Sequence, residues 1–299
     1  MPIRHIGYAC INQTLRGKGK NQVYTSRGLT LKSFTLEKAG NLALQNCIDL
    51  ITILKWNLAN NILFFRVSSE IFPFCTHPEI GYNISSLHTY EQIKAALKEA
   101  GDFAKLHSMR LNCHPGPTTI IASPHKHVVD NAVRDIQMHY EIGKMLDTEN
   151  YTVNFHVGGP YDDKVGTAKR YCKTYKALDK DIQNCITVEN DDKISGYTVK
   201  ELYDLIYTDC GVKIVYDHHH HNLNNGNLNS TEAANLAFKT WGDIIPDIHW
   251  SEPRDNPKDR AHADYINSQM FDLSDRVYDV MFEAKQKELS ILNYRKLHG

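Results

Sequence analysis

With 299 residues, 41% of them hydrophobic and 23% charged, the chain can bury one large core or two modest ones. Its formal net charge of −1 gives no global basic field to point to nucleic acid, and no apolar stretch approaches the roughly 20 residues a membrane helix needs. Seven cysteines, odd in number and without a CxxC pair, read as small buried hydrophobes in a reducing compartment, not as a disulfide framework or zinc ribbon.

The opening MPIRHIGYACI runs straight into strand-like sequence, so no signal peptide is expected and the protein is expected to be soluble and intracellular. Residues 1–36 contain no acid but carry Arg4, Arg16, Lys18, Lys20, Arg27 and Lys32. Such a segment suits either a solvated loop or an arm that contacts phosphates. The Gly-Lys-Gly-Lys at 17–20 is not a P-loop, because the spacing and the final Ser/Thr are missing.

Eight strand candidates follow one another: 3–10, 61–68, 109–113, 151–157, 185–189, 212–217, 247–250 and 278–283. Helix-like stretches with apolar residues at three- and four-residue steps lie between them. The first, about 35–58, repeats Leu42, Leu50, Ile51, Leu54 and Leu58. The second opens at Thr89-Tyr-Glu-Gln92, a capping box in form, and continues through Ile93, Leu97, Ala100 and Ala104. Others fall near 127–147, 162–179, 198–209, 230–240 and 284–294, while 255–275 is less regular. Alternating strands and helices without a G-x-G-x-x-G after the first strand predict a single-domain (β/α)8 TIM barrel over 1–299, not an open dinucleotide-binding sheet. The long 11–34 connection exceeds an ordinary βα loop and marks a functional or disordered segment.

Histidines and acids recur just after these apolar runs: His114 in NCHPG, His156 in NFHVGG, Glu189 in TVEND, Asp217 and His220 in IVYDHHHH, His249 in DIHWSE and Glu283 in VMFEAK. Side chains at the carboxyl ends of parallel strands converge on the mouth of an α/β barrel. Taken singly, a histidine at a strand end is more often a hydrogen-bonded structural group; the repetition from strand 3 to strand 8 carries the argument. At most one or two of His218–His221 can face the cavity, and extended alternation favours Asp217 with His219, or Asp217 with a later turn residue. Carboxylates gathered in one cavity repel and lose hydration, a conflict that divalent cations remove. The nitrogen and oxygen donors, without thiolate, suit manganese, zinc or iron. Cations sharing carboxylates can generate hydroxide near neutral pH and stabilise a leaving oxyanion, the two needs of phosphoester hydrolysis.

Read in order, IGYACINQTL, FFRVSSEIFPFCTHP, LNCHPG, FHVGG, VEND, the Asp217–His220 block, IHWSEP and VMFEAK resemble the UV damage endonuclease family along essentially the whole chain. The resemblance implies a TIM barrel related to endonuclease IV, three divalent metal ions with manganese foremost, and damaged double-stranded DNA as substrate. It implies a nick immediately 5′ to a lesion such as a pyrimidine dimer, leaving a 3′-hydroxyl and a 5′-phosphate. The family's ligands fall on His77, His114, His156, Glu189, Asp217, His220, His249, His262 and Glu283. Glu189 would bridge two ions, with His77, His114 and His156 on one side and Asp217, His249 and Glu283 on the other. His220 and His262 would hold the third, with Asp247 or Asp264 as further candidates. Glu189, Asp217 and His220 are the expected catalytic residues. Tyr8 and Asn12 fall on positions that contact DNA at the lesion, although from the residues alone Tyr8 reads rather as a strand-end barrel residue. Lys18, Lys20 and Arg27 are expected on the backbone, and the protein is expected to act as a monomer.

Two departures stand out. The family commonly reads HPGQY where this chain has His114-Pro-Gly-Pro117-Thr118. The Gln-Tyr pair wedges into the duplex, which neither Pro117 nor Thr118 can do in the same way, so the lesion spectrum shifts toward abasic sites or another loop supplies the wedge. Tyr24 in the 11–34 segment is the candidate for that supply. Asp247 stands where family members carry a lysine that can be carboxylated. The alternatives are a metal-dependent sugar isomerase or epimerase on a related barrel, and a damage-binding protein without catalysis.

Overall fold

The computed structural model describes residues 2–17, 22–161 and 163–299. Eight parallel strands close into a barrel in chain order: β1 Ile3–Ala9, β2 Phe64–Val67, β3 Arg110–Cys113, β4 Thr152–His156, β5 Ile186–Glu189, β6 Lys213–Asp217, β7 Asp247–Trp250 and β8 Tyr278–Phe282. Each expected strand is present within a few residues of its expected ends, because the apolar runs are buried on both faces, as a parallel sheet under helices requires.

The outer layer follows the expected helices. A short α1 (Gln13–Arg16) lies in the 11–34 connection, and α2 (Leu36–Ala59) returns the chain to β2. Then come α3 (Tyr90–Leu106), α4 (Lys126–Leu146), α5 (Lys164–Ala177) and α6 (Lys180–Cys185). After β5 a helical run is split into α7 (Val199–Leu202), a five-residue π segment and α8 (Thr208–Cys210). A six-residue α9 (His218–Leu223) precedes α10 (Ser230–Phe238), and α11 (Glu288–His298) closes the chain. Among the described residues no helix follows β7; 255–275 crosses back as irregular chain, in keeping with its weak periodicity. The capping box at Thr89 does not form. The Thr89 hydroxyl instead donates to the Gly40 carbonyl at 3.0 Å, tying α3 to α2 where a Cβ on Gly40 would meet that hydroxyl at 2.9 Å. Among the described residues, no helix is long and apolar enough to cross a membrane.

Inside the barrel the two-residue period of each strand sorts side chains into layers. At the amino-terminal end Arg110, Asn112, Asp247 and Asp279 interlock. Arg110 reaches Asp247 at 2.9 Å and Asp279 at 3.0 Å, Asn112 donates to Asp247 at 3.0 Å, and Arg4 grips Asp279 from the rim. An apolar plug of Phe64, Met281 and Ala9 comes next. Arg66, two residues beyond Phe64, Glu283, two beyond Met281, and His249, two beyond Asp247, stand at the floor of the carboxyl-end mouth. The large core lies between barrel and helices.

Candidate metal centre

Glu189, the last residue of β5, is the hub of the mouth. Its side chain is fully buried, and its oxygens stand 3.0 Å from His249 Nδ1, 3.3 Å from His220 Nδ1, 3.4 Å from His114 Nε2 and 4.0 Å from His156 Nε2. Each partner arrives from a different strand end, which is why residues as far apart in the chain as His114 and His249 meet. Two groups have ligand atoms within 4.8 Å of one another: His114, His156 and Glu189, and Glu189, Asp217 and His249. Glu189 belongs to both. Ligand atoms each about 2.1 Å from one ion lie roughly 3–3.5 Å apart, close to these spacings.

The backbone prepares the histidines to offer nitrogen. Nδ1 of His114 faces the Pro115 carbonyl at 2.8 Å, Nδ1 of His220 faces the Asn190 carbonyl at 2.9 Å and Nδ1 of His262 faces the Glu283 carbonyl at 2.9 Å. Donating there leaves Nε2 with its lone pair free, the arrangement typical of metal-ligating histidine. Asp191 Oδ1 stands 3.0 Å from His156 Nδ1 and orients that ring in the same sense. Asp217 caps α9 by accepting the His220 amide at 2.7 Å, so the expected extended alternation gives way to a helical turn. His220 therefore reaches Glu189, while His219 faces His262, His221 packs on Tyr216 and His218 stacks on Trp250 at 3.9 Å.

Imidazoles supply much of the counter-charge within the mouth, since the carboxylates raise His156, His220 and His249 against burial. Glu189, Asp217 and Glu283 set three carboxylates against the single guanidinium of Arg66, which donates to Glu283 at 2.5 Å and sits 2.7 Å from His249 Nε2. Burial opposes ionisation of Glu189 but is outweighed by His249, His156 and hydrogen bonds from His114 and His220, which hold its carboxyl well below the usual range. Burial likewise opposes ionisation of Glu283, and Arg66 with His249 overcomes it. Asp217 goes the other way: burial, with Glu189 and Glu283 nearby, raises its carboxyl against the pull of His220. Burial also works against a proton on His156, yet Glu189 and Asp191 lift it to about 9. Asp217 Oδ2 and His249 Nδ1 are buried 3.8 Å apart without a hydrogen-bond partner. Orphaned ligand atoms, and carboxylates whose counter-charge beyond Arg66 comes from protons on His156, His220 and His249, surround a cavity of about 320 Å³ and fit divalent cations that would displace those protons; the nitrogen–oxygen donor set fits borderline ones.

The other expected residues separate clearly. His262 joins the mouth. His77 does not: its Nδ1 accepts from the Glu79 and Ile80 amides, at 3.2 and 3.4 Å, and it lines a different cavity beside α4. Asp247 is corrected as a ligand candidate, since Arg110 and Asn112 occupy both its oxygens below the apolar plug. Asp264 enters through its backbone carbonyl, which accepts from Gln286. Tyr8 and Asn12, expected at DNA, are buried; the Tyr8 hydroxyl donates to Asn57 at 2.6 Å and accepts from Asn12 at 2.8 Å. Asn12 also caps α1 by accepting the Leu15 amide. Arg27 is likewise spent, on Asp49 at 2.6 Å and on the Tyr24 ring, which Arg16 also approaches. Lys18 and Lys20 lie outside the described residues. Pro117 and Thr118 are exposed on the loop after β3. Arg66, Asn154 (2.5 Å from Glu189) and Asp191 are participants that motif reading missed. Asn154 and Asp191 carry one signal, a two-residue offset from His156 and Glu189, and Arg66 carries none.

Comparison with known proteins places these features in a lineage. The model of the UV-endonuclease UvdE family matches residues 4–298. A UV DNA damage endonuclease of Bacillus mycoides (strain KBAB4) is 33% identical over 284 residues, covering 91% of this chain and 87% of its own. A UV-damage endonuclease of Schizosaccharomyces pombe is 34% identical, covering 96% of this chain but 49% of that longer protein. The crystal structure of SacUVDE superposes with a TM-score of 0.85 at 26% identity, over 98% of this chain and 96% of the other. Endonuclease IV from Thermus thermophilus, at a TM-score of 0.56 and 12% identity over 83% of this chain and 92% of the other, shares the fold. The chain belongs to the UV-endonuclease UvdE family.

Proposed function

We propose that the protein is a metal-dependent DNA repair endonuclease that nicks damaged duplex DNA immediately 5′ to the lesion, leaving a 3′-hydroxyl and a 5′-phosphate. The observation that carries the reading is Glu189, one buried carboxylate shared by two ligand groups and facing four histidines within 4.0 Å. His114 and His156 with Glu189 would hold one ion, Glu189, Asp217, His249 and Glu283 a second, and His220 with His262 a third, manganese being the expected metal. When bound, such ions supply Lewis acidity and lower the pKa of water.

The chain's own residues define the rest. Glu189 keeps two ligand sets in register, and the backbone carbonyls of Pro115, Asn190 and Glu283 fix the tautomers of His114, His220 and His262. Arg66 holds Glu283 and His249 in place from below. The loops after β2 and β3, with exposed Pro117 and Thr118, face the DNA, and Lys18 and Lys20 are assigned to its backbone. A single chain is the proposed active unit.

The test is a duplex labelled at one end and carrying one pyrimidine dimer, 6-4 product or abasic site, incubated with manganese. A nick at the phosphodiester directly 5′ to the lesion, with 3′-hydroxyl and 5′-phosphate ends, is expected. Intact damaged duplex, or nicking indifferent to the lesion, would overturn the reading.

A further inference from the structure

Two large aromatic rings stand exposed among the described residues, Tyr161 at 43% and Phe271 at 47%, and both belong to loops at the carboxyl-end mouth. They are held differently. Phe271 packs edge-on against Trp250 and His218, at 5.4 Å from each, and completes a stack that the fold itself needs. Tyr161 is held by its hydroxyl, which lies 3.2 Å from Ser123 Oγ, and over one face, where the Arg170 guanidinium lies 5.7 Å from the ring centre, leaving the opposite face for a ligand.

The loop that bears Tyr161 is tightly constrained. Tyr161 has φ of +50°, a left-handed conformation that costs a tyrosine about 1 kcal/mol. Three residues earlier, Gly158 has φ of +93°, and a Cβ there would strike Ile120 at 2.7 Å. Arg170 donates to the Ala122 carbonyl at 2.9 Å, and Thr174 donates to that of Ile121 at 3.0 Å. These bonds tie α5, which follows the β4 loop, to the loop after β3, and the Tyr161 hydroxyl on Ser123 ties the β4 loop itself, so the ring is held in place before any ligand arrives.

That ring forms one wall of a cleft of about 660 Å³ whose other walls include Glu70 from the loop after β2 and Gly116, Thr118 and Ile120 from the loop after β3. The loops after β3 and β4 start at His114 and His156, so the cleft adjoins the metal centre on the same face. Its volume is within the range of about 300–1,000 Å³ typical of ligand sites. Its charged side chains are Glu70 and Asp135, carboxylates and not cations, which disfavours a phosphate there. An aromatic face, hydroxyls and acceptors suit an unstacked nucleobase, which has a π-face and exocyclic amines. Pro117 and Thr118, at the tip of the neighbouring loop, contribute no ring.

Building on the reading above, we propose that Tyr161 is a specificity-determining residue that stacks on a nucleobase displaced at the lesion, in the cleft between the loops after β2, β3 and β4. The test compares wild type, Tyr161→Phe and Tyr161→Ala on duplexes carrying a pyrimidine dimer or an abasic site, with 2-aminopurine placed opposite or beside the lesion. Tyr161→Ala is expected to lose about 5- to 150-fold in kcat/KM on the dimer, the range for one base stacked on an aromatic ring. It should also lose the quenching of 2-aminopurine by stacking, while metal content is unchanged and abasic cleavage falls less. Tyr161→Phe should retain both the rate and the quenching. Equal activity and equal quenching in all three proteins, with lesion-dependent nicking intact, would overturn the inference alone. A wild type whose quenching requires Tyr161 but which nicks nothing would instead fault the nuclease reading and support the stacking role.

Discussion

Two clusters of buried carboxylates share one barrel, and they are neutralised in opposite ways. At the amino-terminal end Asp247 and Asp279 meet Arg110 and Arg4, two charges against two, with Asn112 filling the remaining acceptor. At the mouth Glu189, Asp217 and Glu283 meet one arginine and a ring of histidines, and polar atoms of Asp217 and His249 stay unpaired. Carboxylates matched by permanent arginine charges need no cation and serve the fold, even though Arg110 Nε and Asn112 Oδ1 stay unpaired there. An open set of lone pairs beside a cavity invites a cation. The contrast teaches that a buried acid marks a metal site when its counter-charge is left to imidazoles that a cation can replace, and not to arginine.

The sharpest break of this comparison is Glu189→Gln. The amide preserves shape but removes the anion shared by both ligand groups, so nicking should fall at least about 1,000-fold while the far-ultraviolet circular dichroism stays native. Near-normal single-turnover cleavage would remove Glu189 from its bridging role. Arg110→Met addresses the other cluster. Stranding Asp247 and Asp279 should cost about 3–5 kcal/mol in urea unfolding, because it leaves buried charges uncompensated. Metal content measured on the folded fraction should hold; its loss would mean that the two clusters are one system.

Chelation should act on the mouth alone. Stripped protein should lose activity and melt lower, and manganese should restore both better than magnesium, which prefers all-oxygen shells. Ligand at about 100 times its dissociation constant stabilises by about 2.7 kcal/mol. Unchanged melting and full activity in a metal-free preparation would contradict the whole site.

Acid and alkali should separate the regions further. His139 on α4 is buried without a hydrogen-bond partner, and burial lowers it to about 4. The unfolded chain, with its histidine near 6.5, then binds more protons than the folded one between about pH 4 and 6.5. Stability should therefore fall as pH drops through that window, by at most about 1.4 kcal/mol per unit, and His139→Leu should flatten the loss. His156 in the metal-free protein has the opposite sign. Lifted to about 9, it contributes stability that is complete below about 6.5 and disappears as pH rises through 9. Saturating manganese should abolish this alkaline limb in thermal melts, since a ligated imidazole carries no proton there; its persistence would place His156 outside the metal shell.

The smallest expected effect lies outside both clusters. Replacing Lys18 and Lys20 by Ala should reduce the log–log salt slope of binding to damaged duplex by about 0.9 for each phosphate no longer neutralised. An unchanged slope would make them ordinary solvated lysines. Arg27 is left out of this variant because Asp49 already holds it.

What the sequence by itself determined was everything that depends on local period. Eight short apolar runs separated by amphipathic stretches specify strands under helices, and strand-end His, Asp and Glu specify a polar mouth, because a barrel sends consecutive strand ends to one face. The gathering of His114, His156, Glu189, Asp217, His220, His249 and Glu283 follows from that rule. Tertiary structure decided the rest, for reasons that spacing cannot carry. Asp247 and His249 are two residues apart and point the same way, yet Asp247 meets Arg110 and Asn112 while His249 meets Glu189 and Arg66. His77 stands in a loop whose amides engage its ring, and Tyr8 reaches Asn57 across 49 positions of chain. Arg66 looks like a stray cation in a strand until closure of the barrel sets it against Glu283, 217 residues away. Which strand end a residue occupies is local; which charge it meets there depends on how the barrel closes.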